Sequence, residues 1–194
     1  MATYTSLSVV SIIVCLLLVT NSEIPRAWGL FDLIPHTEFK VNNFLTFRDS
    51  TLGFEISYPE SWTHEMHSGG IVTFLAGTEG NPSLYPAGLV VKVQHLTKIV
   101  SLYQITQVQL KNLTQNHPDF KLLKSIDSKL AGTNAHEISF TAIDSHKQKR
   151  KAMQIWTING ETAYLITYKA DPGAYLVYLP VIQKMVDSFK FMNH

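Results

Sequence analysis

The feature that most constrains the fold is the dipeptide Asn159-Gly160, which lies between two β-like runs. The flanking segments, residues 152–158 and 162–169, are rich in β-branched and aromatic residues, which favour strands. Asn-Gly readily adopts the positive φ values of a type I′ turn, and this turn matches the twist of two antiparallel strands. The sequence therefore predicts a β-hairpin, and with it an antiparallel sheet.

Other segments extend this pattern to both sides of the hairpin. Ser101 is a suitable N-cap for a helix that runs to about Gln115, and residues 174–189 have the apolar spacing of a closing helix. Pro180 leaves open a later start, near Leu179. Further strands are predicted at residues 44–48, 54–58, 71–76, 89–95, 120–126 and 135–143. This order of strands, helix, strands and helix favours an α+β sandwich over a doubly wound sheet.

The N-terminal segment, residues 1–22, contains no charged side chain. Its apolar run at residues 9–19, interrupted by Ser11, has the length of a signal-peptide core and is shorter than the roughly twenty residues of a spanning helix. Cleavage before Glu23 is the expected outcome. Because no Lys or Arg precedes the run, an uncleaved membrane anchor is the alternative to a cleaved signal peptide. Either alternative predicts an extracytoplasmic protein, secreted or anchored to the outer face of the membrane.

The remaining chain divides into a linker or arm, residues 23–42, and one domain, residues 43–194. The arm contains Pro25, Gly29 and Pro35 and no sustained period. Cys15 is the single cysteine, and it lies in the leader. The domain therefore has no disulfide, thiolate nucleophile or cysteine-ligated metal, and its core alone must stabilise it.

The charge balance argues against a nucleic-acid partner. The formal net charge is +1, so the chain as a whole offers no cationic field to DNA, RNA or anionic lipid. The one dense basic run, residues 146–151, lies between two predicted strands, and we interpret it as a solvated hairpin loop.

A short histidine motif is the candidate metal site. His64 and His67 flank Glu65 and Met66, and two histidines with a carboxylate are suitable ligands for zinc or manganese. The spacing differs from the His-Glu-x-x-His of zinc proteases, and the segment is predicted to be a loop before Gly69-Gly70. His36, His95, His117 and His146 are the candidates for a third ligand. Exposed loop histidines without metal are the alternative.

Sequence motifs for catalysis are missing. Gly-x-Ser-x-Gly, the P-loop and Gly-x-Gly-x-x-Gly do not occur, and the acidic residues of the domain are isolated in sequence. We therefore expect no enzyme, with a hydrolase assembled from distant residues as the remaining alternative. Trp62, Trp156, Tyr58 and Tyr164 are candidates for a ligand face, although strand aromatics more often pack in a core.

Three phrases resemble the PsbP-like family. Residues 46–62, Thr-Phe-Arg-Asp-Ser-Thr-Leu-Gly-Phe-Glu-Ile-Ser-Tyr-Pro-Glu-Ser-Trp, are similar to the opening of these domains. Gly132-Thr133-Asn134-Ala135-His136 and the closing Met185-Val186-Asp187-Ser188-Phe189 agree with later parts. The resemblance covers residues 43–192. The basic arm of the photosynthetic family member has no match in residues 23–42, so neither a photosystem role nor any binding residue is carried over.

This resemblance implies an αβα sandwich, shared with the Ran-binding Mog protein, in which helices flank a mainly antiparallel sheet. It also implies a non-catalytic accessory domain that binds or stabilises a membrane protein complex. The alternative function is a small metal- or ligand-binding protein that uses the segment from His64 to His67, with zinc or manganese as the divalent ion.

Overall fold

The computed structural model describes residues 41–77, 87–117, 119–144 and 147–192. The predicted leader and nearly all of the predicted arm lie outside these residues. Val41, at the end of the arm, packs against the core. The helices and strands in the described parts are β1 (Phe44–Asp49), β2 (Phe54–Pro59), β3 (Trp62–His67), β4 (Ile71–Ala76), β5 (Ala87–His95), α1 (Leu102–Asn116), β6 (Lys121–Leu130), β7 (Thr133–Ile143), β8 (Lys149–Asn159), β9 (Thr162–Ala170), α2 (Pro172–Asp187) and β10 (Lys190–Phe191).

The predicted hairpin is confirmed and lies inside the main sheet. Its turn differs from the predicted type I′. Asn159 pairs with Thr162, so Gly160 and Glu161 are the central residues, and of these only Gly160 has a positive φ, 59°, which is the pattern of a type II′ turn. The seven strands of this sheet have the order β3-β4-β5-β9-β8-β7-β6, and each of its neighbouring strands is antiparallel. A smaller sheet has the order β1-β2-β10. The α+β prediction is therefore correct.

Layers on both faces of the large sheet make the predicted αβα sandwich. Side chains alternate along β8, so Ile155 and Trp156 point to opposite faces, and both are buried. Ile155 belongs to the larger core cluster, which α2 and the smaller sheet cover. Trp156 belongs to the second cluster, beneath α1. Phe54 of β2 stacks on Phe189 with ring centroids 5.3 Å apart, which joins the smaller sheet to the end of α2.

Helix α1 begins where its cap predicts. The Ser101 hydroxyl accepts a hydrogen bond from the Gln104 backbone, and the Gln104 side chain accepts one from the Ser101 backbone, so the two form a capping box. The buried side of α1 is more polar than its apolar spacing predicts. Thr106 accepts a hydrogen bond of 2.9 Å from the indole Nε1 of Trp156, so this helix is held partly by polar contacts.

Helix α2 begins at Pro172, and Pro180 lies inside it. The earlier of the two predicted starts is therefore the better one. Proline at the first helical position removes an N–H that has no intrahelical partner in any case. Leu179 packs against the larger core, while Val181 and Ile182 are buried.

The prediction of a loop at residues 64–67 is wrong, because these residues form β3. His64 pairs with Phe74 and His67 with Ile71 in an antiparallel register. Five of its six residues are exposed, so the strand lacks the alternation of a half-buried strand. Pairing with β4 along one edge, and not hydrophobic periodicity, holds the segment extended.

The turn between β3 and β4 generates a stability prediction at its second glycine. Gly69 and Gly70 have φ values of 78° and 72°, but only Gly70 is crowded: a Cβ there would lie 2.5 Å from the carbonyl oxygen of Val93. Gly70→Ala should lower the free energy of unfolding by about 3 kcal/mol, because strain adds to a backbone clash. Urea denaturation measures this.

Gly69→Ala is the matched control for that measurement. Its φ is equally positive, yet a Cβ there would have no neighbour within 4 Å. We expect a loss of about 1 kcal/mol, the cost of the left-handed backbone alone. Equal losses for the two variants would contradict the close approach of Gly70 to Val93.

Candidate functional site

The two histidines of the predicted metal site lie on β3, three residues apart. Because side chains alternate along a strand, His64 and His67 point to opposite faces. Their side chains therefore do not meet at one ion within this strand. Glu65 shares the face of His67, and their Oε2 and Nε2 atoms lie 4.0 Å apart.

His64 lies in an aromatic environment. Its ring centroid lies 5.4 Å from that of Phe47, 5.2 Å from that of Tyr58 and 6.2 Å from that of Phe74. These neighbours surround His64 with aromatic rings and not with carboxylates or further histidines that would ligate a metal ion. Across the described parts of the chain, no group of three His, Cys, Asp or Glu side chains is close enough to hold a metal ion. Metal binding by His64 and His67 stays a prediction.

The four aromatic residues considered as a ligand face are core residues. Trp62, Trp156, Tyr58 and Tyr164 are all nearly inaccessible, with exposed fractions of 2–6%. Burial raises the pKa of Tyr164, whose hydroxyl contacts the carbonyl oxygens of the β1–β2 turn. These rings therefore support packing.

The basic run is only partly a solvated loop. Residues 145–146 lie outside the described residues, and the last three residues of the run begin β8. Arg150 donates to Asp144, with Nε and Oδ2 2.9 Å apart, and also forms an ion pair with Asp171. This pair joins the β7–β8 connection to the start of α2. Burial, followed by the charge of Arg150, lowers the pKa of Lys169 on the neighbouring strand.

A cleft of about 210 Å³ lies between the C-terminal part of α2 and the β6–β7 hairpin. We call it the α2 cleft. Its polar lining includes Glu137 of β7 with Gln183 and Asp187 of α2. Met153 and Ile155, both buried side chains of β8, form its apolar part. Typical small-molecule pockets are larger, about 300–1,000 Å³, so a single side chain suits this space better.

The carboxylates of the α2 cleft are held by neighbouring donors. Lys124 Nζ lies 2.9 Å from Glu137 Oε1, and Gln183 Nε2 donates to Asp187 Oδ1 at 3.0 Å. Burial and then the charge of Glu137 raise the pKa of Tyr175 to about 12, so its phenol is neutral at physiological pH. Lys124 offsets the charge of Glu137, and Lys129, which also lines the cleft, contacts Asn134. Asp187, which accepts from Gln183, is therefore the carboxylate of the cleft that suits a basic group.

A second polar group lies on the other face of the same hairpin. His136 Nε2 lies 2.9 Å from Ser125 Oγ, and His136 Nδ1 lies 3.1 Å from Asp127 Oδ1. This is the connectivity of a nucleophilic triad. However, the Asp127 side chain is fully exposed, whereas the carboxylate of a working triad is buried and holds the imidazole in place.

Sequence motifs revealed neither the α2 cleft nor the group formed by Ser125, His136 and Asp127. Ser125 and Asp127 alternate on β6, and His136 is the register partner of Asp127 on β7. The signal was available only through strand pairing. The alternating pattern at residues 135–143 predicts β7, but the sequence pattern ends the exposed strand opposite it at residue 126, before Asp127.

Comparison with known proteins identifies the family of this chain. The model of a family described as PsbP-like protein matches residues 32–191. The chain belongs to the PsbP-like family. Within the described residues, no helix is both long and apolar enough to cross a membrane. No curated protein matches in sequence.

Solved structures that resemble this PsbP-like chain share its fold at low identity. Cyanobacterial PsbP (CyanoP) from Synechocystis sp. PCC 6803 is 13% identical with a TM-score of 0.61, covering 82% of this chain and 99% of that one. The Saccharomyces cerevisiae Ran-binding protein Mog1p is 10% identical with a TM-score of 0.57, covering 78% and 96%. LpqN of Mycobacterium tuberculosis, involved in cell envelope biogenesis, is 12% identical with a TM-score of 0.57, covering 72% and 83%.

The exposed triad-like group generates a reactivity prediction. Because water competes for the fully exposed Asp127, we expect Ser125 to have no unusual nucleophilicity. A fluorophosphonate probe should therefore leave the full chain unlabelled while it labels an added serine protease. Labelling that disappears in Ser125→Ala and in His136→Ala would contradict this and identify a reactive serine.

Proposed function

We propose that this chain is a non-catalytic accessory domain that acts outside the cytoplasm and binds a protein component of a membrane complex. The observation that carries the proposal is the family match over residues 32–191. The uncharged leader, residues 1–22, supports the location. Two proteins of the same fold have titles that name a partner or a process: Mog1p binds Ran, and LpqN is involved in cell envelope biogenesis.

The α2 cleft is the surface that we propose for the partner. Its carboxylates, Glu137 and Asp187, line the same cleft as Lys129 and the apolar side chains of Met153 and Ile155, and Asp187 is the carboxylate that we propose for the partner's charge. A lysine or arginine side chain has the matching form, since its aliphatic stem covers apolar surface while its charged end meets a carboxylate. The proposed partner therefore presents a basic residue to the cleft.

Site-specific photo-cross-linking in membranes tests this proposal. A benzophenone side chain at Gln183, an exposed position at the cleft, should give one covalent adduct that mass spectrometry identifies as a membrane-complex protein. The adduct should decrease severalfold in Asp187→Asn, because the partner loses its counter-charge.

Tyr103 supplies the matched control. It is 72% exposed on α1, the helix on the opposite face of the large sheet, and the same probe there should give little of that adduct. Recovery of free monomer alone from the Gln183 probe would contradict the proposal. N-terminal sequencing of the recovered protein separates cleavage before Glu23 from a retained anchor.

A second candidate function is divalent metal binding on β3. Glu65 and His67 favour it, because they share a face with ligand atoms 4.0 Å apart. Zinc or manganese held by two protein groups would bind weakly, since water must complete the coordination. His64 lies on the other face of the strand and has no part in this pair.

Calorimetric titration with zinc or manganese distinguishes the two histidines. If the pair on β3 binds metal, His67→Ala should abolish the heat of binding, and His64→Ala should leave it unchanged. Equal loss in both variants would favour a shared site that needs a different local geometry. The lack of heat with the parent chain would remove this candidate.

A further inference from the structure

One half of the sheet face that α1 covers is the starting point of a further inference. α1 lies over β8, where Gln109 donates to Gln154, and over β7, with which it shares the second core cluster. A helix is about 10 Å across, whereas seven strands about 4.8 Å apart span roughly three times that width. Beyond β9, the strands β5, β4 and β3 continue the sheet away from α1. Of the two helices in the described parts of the chain, the other, α2, covers the opposite face.

This uncovered half carries apolar side chains around a lysine. Val91 of β5 points into the larger core, so its neighbours Val90 and Lys92 point to the α1 side of the sheet. On the same side, Ile71 and Leu75 of β4 are half-buried, as is Val90. Lys92 lies among them and is the register partner of Ile71. We call the surface formed by Ile71, Leu75, Val90 and Lys92 the β5 face.

The arm that precedes the domain matches the β5 face in sequence. Its residues 30–34 are Leu-Phe-Asp-Leu-Ile, a carboxylate inside an apolar run. The proline that follows favours an extended backbone at Ile34. In an extended segment, Leu30, Asp32 and Ile34 share one side. That side is apolar at both ends and negative at its centre, so it complements an apolar surface with a positive centre.

The point at which the described chain begins allows this contact. Val41 lines a recess together with Ser61. The carbonyl oxygen of Ser61 lies 3.2 Å from the position of a Cβ on Gly77, the residue after β4. The chain therefore enters beside the end of β4 that carries Leu75. Seven residues lead from Ile34 to Val41, and an extended chain of that length spans about 23 Å, enough to reach the β5 face.

The family match supports contact between the arm and the domain. It begins at residue 32, before the first described residue, Val41. Residues 32–40 therefore belong to the sequence pattern of the domain, whereas residues 1–31 lie outside it. A segment that packs on the domain is expected to be part of that pattern, and a linker that only joins a leader to it is not.

We propose that residues 30–34 dock on the β5 face, with Asp32 beside Lys92 and Ile34 beside Val90. A lysine on apolar surface gains from a carboxylate there, because its stem packs while its charge is paired. The contact reduces the free connection to the leader to residues 23–29, about 23 Å when extended. In a chain that keeps the leader as an anchor, the docked arm therefore limits how far the domain moves from the membrane.

Cysteine cross-linking of the full chain tests this contact. In a Cys15→Ser background, Ile34→Cys with Val90→Cys should react within one chain with a bismaleimide of roughly 10 Å reach, the distance between packed layers. Leu176→Cys in place of Val90→Cys is the matched control, because Leu176 is 56% exposed on α2, on the opposite face. We expect severalfold less intramolecular product from the control, measured by mass spectrometry of the linked peptides.

A charge exchange tests the alignment of the arm. Asp32→Lys should lower the cross-linking yield of the pair at positions 34 and 90 severalfold, because two ammonium groups then meet. Adding Lys92→Asp should restore the yield, because it reverses the pair. Such restoration requires the two side chains to be adjacent, so loss of folding in a single variant does not imitate it.

Several outcomes would overturn the proposal. Equal yields with Val90→Cys and Leu176→Cys would reduce the contact to collision. A product between two chains would assign the β5 face to a second copy, and a link from Val90→Cys to a retained Cys15 would assign it to the leader. Failure of the charge exchange would mean that another segment lies over Lys92. The α2 cleft is on the opposite face, so each of these outcomes leaves the function proposed above intact.

Discussion

The structure depends on the burial of both faces of its central strands. Six consecutive residues of β8, residues 152–157, are buried, so neither face of the sheet can remain in water. A sheet of this kind needs a covering layer on each side. α2 with the smaller sheet supplies one layer, and α1 supplies the other. Because the single cysteine of the chain is Cys15, the domain has no disulfide to substitute for this core.

The two covering layers are attached by different chemistry. α2 packs through apolar side chains such as Ile182 and Met185, which are fully buried. α1 contributes fewer apolar contacts, and two of its buried side chains are polar. Gln109 donates to Gln154 at 2.9 Å, close to the bond between Trp156 and Thr106. These directional bonds locate α1 on the sheet, because a buried donor without a partner costs free energy.

The two polar groups considered as candidate sites lie at the side of the sheet where coverage ends. The β6–β7 hairpin carries the α2 cleft on one face and the Ser125–His136–Asp127 group on the other. Its outer strand is exposed, whereas β8 two strands away is buried. Interaction surfaces are expected where a rigid core ends in unpaired groups, which is the position of this hairpin. The Arg150 ion pairs have a structural role by comparison, since they join the β7–β8 connection to α2.

Local chemistry alone determined several features of this protein. Gly160 was sufficient to locate the central hairpin, although the turn is centred on Gly160 and Glu161 and not on Asn159 and Gly160, and Ser101 was sufficient for the start of α1, because turn and cap preferences act within a few residues. The PsbP-like phrases predicted the αβα sandwich.

Tertiary structure decided what local patterns do not contain. The segment from His64 to His67 became a strand because β4 pairs with it, and this separated the two histidines onto opposite faces. Likewise, Asp127 contacts His136, and Glu137 lines one cleft with Gln183 and Asp187 of α2, because strand register and helix packing bring together residues that are distant in sequence.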